Sequence, residues 1–141
     1  MLEKYLPRIE FDSYEDLKNN YKVNEPDDFN FGWDIVDGWA KEDVNKRALV
    51  WCDDHGGEKT LTFSEISRLS NKTVHFLKSL GIKKGDRVML ILRRHYQFWF
   101  AMLGLNKLGA IAVLAPNQPL THDLEYRFEA AGVKAILCTA I

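Results

Sequence analysis

Beyond Arg87 the hydrophobic pattern of the chain switches period repeatedly, and this alternation constrains the fold more than any other feature. Residues 88–92 form a continuous apolar run, as a strand buried on both faces requires. Residues 95–108 are strongly apolar over a length that suits a helix, and Gly109 follows them. A second short apolar run covers residues 111–114 and stops at Pro116. Thr121 then stands where it would cap a helix carrying Leu124, Phe128 and Ala131 on one face, with Gly132 after it. Residues 135–138 read as a third strand. Strand, helix, strand, helix, strand with short connections is a βαβαβ unit, whose strands run parallel through right-handed crossovers. The expected fold class is α/β.

Upstream the pattern is less regular. Residues 1–28 are charged and rich in Asn and Tyr, with a weak helical pattern at 14–21, and read as an arm with one short helix. Asn30 stands where it would cap a helix with Phe31, Ile35, Val36 and Trp39 on one face; Trp33 and Trp39 read as anchors on a parent domain. Residues 48–52 and 60–63 flank the turn-forming cluster Asp53-Asp54-His55-Gly56-Gly57, which makes a hairpin with His55 at a solvated tip. Thr62 and Glu65 have capping-box spacing. Ile66, Leu69, Thr73, Leu77 and Leu80 recur at helical intervals until Gly81, a left-handed cap position. Lys83-Lys84-Gly85-Asp86 is a solvated bend before a strand.

Composition narrows the function classes. The 141 residues carry 19 basic and 20 acidic side chains, a net charge of -1 that gives no field to hold nucleic acid or an anionic membrane. The apolar stretch at 98–115 is nearly long enough to span a bilayer, but Lys107 in its middle argues for a buried helix followed by a buried strand. The first ten residues lack the apolar core and small-residue cleavage site of a secretory signal. Cys52 and Cys138 share no Cys-x-x-Cys spacing, and each is expected to behave as a small buried hydrophobe. The four histidines show no metal-ligand spacing with them. A reducing cytoplasm is the expected compartment.

Ligands of open α/β sheets bind outside the carboxyl ends of the strands. Three segments qualify: Arg93-Arg94-His95, the polar and rigid Pro116-Asn117-Gln118-Pro119, and whatever follows Thr139. Of these, the Pro-Asn-Gln-Pro loop is the best candidate to face a ligand. No Gly-x-x-x-x-Gly-Lys-Ser/Thr or Gly-x-Gly-x-x-Gly loop, nucleophile elbow or placed carboxylate pair occurs. The residues by themselves designate no catalytic and no metal-binding residue.

Three segments together resemble the opening of an acyl-CoA synthetase of the AMP-binding, adenylate-forming superfamily. Leu61-Thr62-Phe63-Ser64-Glu65-Ile66 is similar to the first signature, with Phe63 in place of Tyr. Gly81 through Val88 is similar to the Gly-x-x-x-Gly-Asp-x-Val turn and strand. Lys107-Leu108-Gly109-Ala110 through Pro116 resembles Lys-Ala-Gly-Ala ending in Pro. Upstream, Phe29-Asn30-Phe31 and Asp34 through Ala40 are similar to the medium-chain branch. The resemblance implies an N-terminal arm at 1–28 and, at 29–141, the first part of a large adenylation domain: a partial domain with the βαβαβ unit behind an arm, a helix and a hairpin.

The implied chemistry has two steps and three co-substrates: ATP with Mg, coenzyme A, and a small carboxylic acid. The family's phosphate loop, ribose-holding aspartate and lid lysine find no counterpart in these 141 residues, so the resemblance transfers no catalytic residue and implies that this stretch is inactive alone. It does place Asn117, Gln118 and Arg127 on the coenzyme A side, although Pro-Asn-Gln-Pro departs from the Gly-rich loop of some relatives. The alternative is a short, non-catalytic binding module, self-associating through a sheet edge or apolar faces.

Overall fold

The computed structural model describes residues 2–117 and 120–139. Its scaffold is a three-stranded parallel sheet in the order β4-β3-β5, formed by β3 (Arg87–Ile91), β4 (Ile111–Leu114) and β5 (Val133–Cys138). Val88 pairs with Ala112 on one side and with Ala135 on the other. Helix α4 (Gln97–Leu108) returns the chain from β3 to β4, and α5 (Thr121–Ala131) carries it back past β3 to β5. The expected βαβαβ unit is therefore present.

The core lies between this sheet and a helical layer. Val88 and Leu90 alternate toward α4 and toward α3 (Phe63–Ser79), where they meet Leu77, Ile82 and Leu105. Met89, which alternation aims at the opposite face, is equally buried, so both faces of β3 are covered. A second cluster joins Val36, Leu61, Ile66 and Leu103. It ties α3 and α4 to the antiparallel hairpin of β1 (Arg47–Cys52) and β2 (Glu58–Thr62).

Local chemistry sets the element ends. Thr62 and Glu65 form the expected reciprocal capping box at α3: the hydroxyl accepts from Glu65 N at 3.2 Å and the carboxylate from Thr62 N at 2.8 Å. Gly109 ends α4 at φ 72°, a left-handed conformation costly for any residue with a Cβ. Asn30 Oδ1 accepts from Gly32 N and Trp33 N, as its capping position predicts. The turn it caps, Phe31–Val36, is π-helical and continues into α2 (Asp37–Glu42). The wider turn shifts the apolar stripe, so Val36 is buried while Phe31 is half exposed.

Several expectations need correction. Thr121 does not cap α5; Leu120 occupies that position, its carbonyl accepting from Asp123 N and Leu124 N, and no side chain caps the helix. Helix α4 begins at Gln97, because His95 and Tyr96 are spent in a tighter turn that bonds Phe98 N to His95 O and Trp99 N to Tyr96 O. Both cysteines are exposed and free, each being the last residue of its strand. The arm holds one α-helix, α1 (Tyr14–Asn20), and folds back so that Tyr5 is buried edge-on against Phe29. Among the described residues no helix is long and apolar enough to cross a membrane.

Candidate functional site

Because all three strands are parallel, their carboxyl ends share one rim. After β3 the chain runs Leu92, Arg93, Arg94 and His95, with both guanidinium groups and the imidazole exposed. After β4 come Ala115, Pro116 and Asn117, and the loop is anchored where Ala115 N donates to Leu90 O at 3.1 Å. Asn117 is exposed in a bend, while Arg127 is half-buried on the second turn of α5. Gln118 lies outside the described residues. No described hydrogen bond or ion pair joins Asn117 to Arg127.

Strand order ranks the three candidate segments. The crossover from β3 goes to β4, and the next returns across β3 to β5, so the order reverses beside β3. Open α/β sheets bind ligands at such a switch point. By strand order it falls between β3 and β5, whose ends lead into the Arg93-Arg94-His95 segment and Thr139. The loop bearing Asn117 belongs to the outer strand. By strand order the Arg93-Arg94-His95 segment stands next to the switch point and the Asn117 loop one strand away.

That segment is braced from below. Trp51 Nε1 on the hairpin donates to the Arg94 carbonyl, and the Trp51 and Tyr96 rings meet edge to face at 5.4 Å. Lys59 Nζ sits 5.0 Å from the centre of the Tyr96 ring. The hairpin therefore holds the backbone of the β3–α4 connection while its cations remain free to face solvent. Directly behind it, at the start of α4, Gln97 Oε1 is buried and finds no partner among the described residues. None of these supports was legible beforehand, since Trp51 reads only as a strand residue.

The sequence motifs at 81–88 and 107–110 lie at the opposite rim. Asp86 Oδ2 accepts from Lys134 Nζ and Lys83 N, each at 2.7 Å, and Lys134 also reaches Gly81 O at 3.0 Å. The Lys134 bond, followed by that from Lys83 N, holds the Asp86 carboxyl below its ordinary pKa. Lys107 is buried outright. Its ammonium donates to Asp37 Oδ1 at 2.6 Å and Asn71 Oδ1 at 2.9 Å, and lies 4.6 Å from the centre of the Trp33 ring. These motifs build scaffold. One signal could have exposed the Lys107 pair: a charge inside an apolar helix must find a partner.

With the geometry established, comparison with known proteins gives a consistent picture. Residues 36–141 match the family described as AMP-binding enzyme. The chain is 32% identical over 133 residues to mouse acyl-coenzyme A synthetase ACSM3, mitochondrial, which covers 90% of this chain and 23% of that protein. Rat acyl-coenzyme A synthetase ACSM5, mitochondrial, is 34% identical over 118 residues, or 79% of this chain and 20% of that one. Among solved structures, the N-terminal domain of FACL13 from Mycobacterium tuberculosis superposes with a TM-score of 0.67 at 27% identity, covering 77% of this chain and 26% of that chain. Brucella canis acyl-CoA synthetase superposes with a TM-score of 0.81 over 89% of this chain and 24% of its own; at 24% identity it supports the fold alone. The chain thus spans less than a quarter of the length of the mammalian relatives named here.

Proposed function

The chain belongs to the AMP-binding enzyme family, and from that membership we propose that it forms part of the large domain of an acyl-CoA synthetase, with residues 1–28 as its leading arm. In the proposed reaction a carboxylate oxygen attacks the α-phosphorus of ATP and the bridging oxygen leaves with pyrophosphate. The thiol of coenzyme A then attacks the acyl carbon, forming the thioester as AMP departs and the thiol proton passes to solvent. The observation that carries this reading is the family match over residues 36–141 on a parallel sheet of the family's fold.

This stretch contributes position and charge. Arg93, Arg94 and His95 follow β3 beside the switch point, and Asn117 and Arg127 follow the outer strand, a set of donors suited to phosphate oxygens of ATP or coenzyme A. Among the described residues no group of three His, Cys, Asp or Glu side chains is placed to hold a metal ion. Mg is commonly held by one or two carboxylates together with substrate phosphates and water, and no step is assigned through it here. The 141 residues also contain no Gly- and Ser/Thr-rich segment ending in Pro-Lys.

Two experiments test the reading. The isolated chain should give no ATP–pyrophosphate exchange with any fatty or aromatic acid; robust exchange would overturn the idea that the chemistry resides elsewhere. A chimera carrying this chain in place of the matching segment of mouse ACSM3 should form acyl-CoA, and a folded chimera unable to make acyl-adenylate would overturn the ligase assignment. Within that chimera, Arg127→Ala and Asn117→Ala should raise the KM for coenzyme A and leave the exchange rate unchanged. For compartment we propose the cytoplasm; the mitochondrial matrix is the competing site, since the named mammalian relatives are mitochondrial, and fractionation of the source cells decides.

A second reading has its own observation. Phe31, Trp33 and Trp99 are about half exposed, and an apolar groove lined by Phe31, Trp99, Met102 and Leu103 opens beside them. These surfaces favour self-association of the isolated chain.

A further inference from the structure

Away from the strand ends, a cleft of about 550 Å³ opens between α2 and α3. Three cations line it: Lys41 from α2, and Arg68 and Lys72 from α3, with His75 one turn further on. None of the three is ion-paired to a described residue, whereas the carboxylates of Asp16 and Asp86 each hold a basic partner. The chain as a whole is close to neutral, so the clustering is a local segregation of charge.

The floor of the cleft also presents donors. Its one carboxylate, Asp37, is already engaged by the buried Lys107 at 2.6 Å. The same ammonium holds Asn71 Oδ1 at 2.9 Å, which turns the Asn71 amide N–H groups away from Lys107. Ser67, another lining residue, carries a hydroxyl able to donate. Cations above and neutral donors below, around a neutralised carboxylate, are what an oxyanion with more than one charge requires.

We propose that this cleft binds a multiply charged phosphate group, supplied either as free pyrophosphate or on a nucleotide. Arg68 supplies a planar fork for two oxygens, Lys41 and Lys72 neutralise the remaining charge, and Asn71 orients the group. The site is separate from the strand-end rim, and the inference does not depend on the ligase reading.

The test uses the 141-residue chain, with its dispersed amide spectrum as the check on folding. Titration with inorganic pyrophosphate at low ionic strength should saturate with a Kd of about 1 mM or below, shifting the amides of Asn71, Lys72 and Lys41. The double variant Arg68→Glu/Lys72→Glu, both at exposed positions, should weaken binding by about tenfold or more. Lys18→Glu, an exposed charge reversal on α1, should leave it unchanged. Parallel titrations with AMP and with inorganic sulfate identify the source: whichever of pyrophosphate and AMP binds more tightly is the preferred carrier. Lack of saturation by both phosphates, equal affinity for sulfate, or an unaffected double variant would each overturn the proposal.

Discussion

Lys107 places a full positive charge inside the packed layer, where an unpaired ammonium would cost several kcal/mol. It is tolerated because Asp37, Asn71 and the Trp33 ring surround it, three groups drawn from α2, α3 and the π-helical turn. Gly32 makes the approach possible, since a Cβ there would lie 2.6 Å from Lys107 Cγ. Lys107→Ala should therefore destabilise the chain by about 3–5 kcal/mol, because Asp37 is left buried without its partner. Adding Asp37→Leu to a Lys107→Met variant should recover most of the loss; denaturant unfolding of the singles and the double checks both statements. Asp86 supports a pH prediction. Its folded pKa lies below the ordinary 3.8, so its contribution is present above that value and is lost as pH falls through the folded one. Unfolding midpoints followed into the acid range should fall for the parent chain, and Asp86→Asn should flatten that part of the fall.

At the scale of elements, α3 and α4 are the two helices on which the rest is hung, and each has one dominant constraint. The α3 start depends on the capping box, so Thr62→Ala should cost about 1 kcal/mol, with Thr62→Ser close to neutral. The contact between the helices depends on Gly104: a Cβ there would fall 2.6 Å from Thr73 Cγ2 and 3.2 Å from Ser70 O. Alanine is the better helix former by roughly 1 kcal/mol, yet Gly104→Ala should destabilise by about 1–3 kcal/mol, because the helices must separate. Thr73→Ser, which removes Cγ2 and retains a hydroxyl for the bond to Leu69 O, should restore part of the loss. Thermal or denaturant unfolding separates these outcomes from a simple propensity effect, which would have the opposite sign.

At the scale of the whole molecule, β4 and β5 are the edge strands of the sheet among the described residues, and α5 has no fully buried residue there. Ile111 and Leu114 on β4 are about half exposed, and Tyr126 on α5 is more so. Such edges and faces invite another layer or another copy. Sedimentation of the isolated chain should show association that rises with concentration. A stable monomer throughout would overturn self-association and leave the ligase reading untouched.

Much of the architecture is determined locally. The period changes after Arg87, the Thr62–Glu65 pair and the glycines at 81, 109 and 132 act within a turn or a strand, so the parallel unit and most of its boundaries were legible in the sequence. Thr121 and the two cysteines depart from their sequence expectation because capping register and exposure depend on one residue's phase at an element end. The site was legible only as a choice among strand ends. Strand order, which brings β5 beside β3 and leaves β4 outermost, sets how those ends are arranged, and no local pattern carries that information. The same holds for Lys107 and Asp37, seventy residues apart, and for the cations between α2 and α3. Charges distant along the chain meet only after the helices have packed.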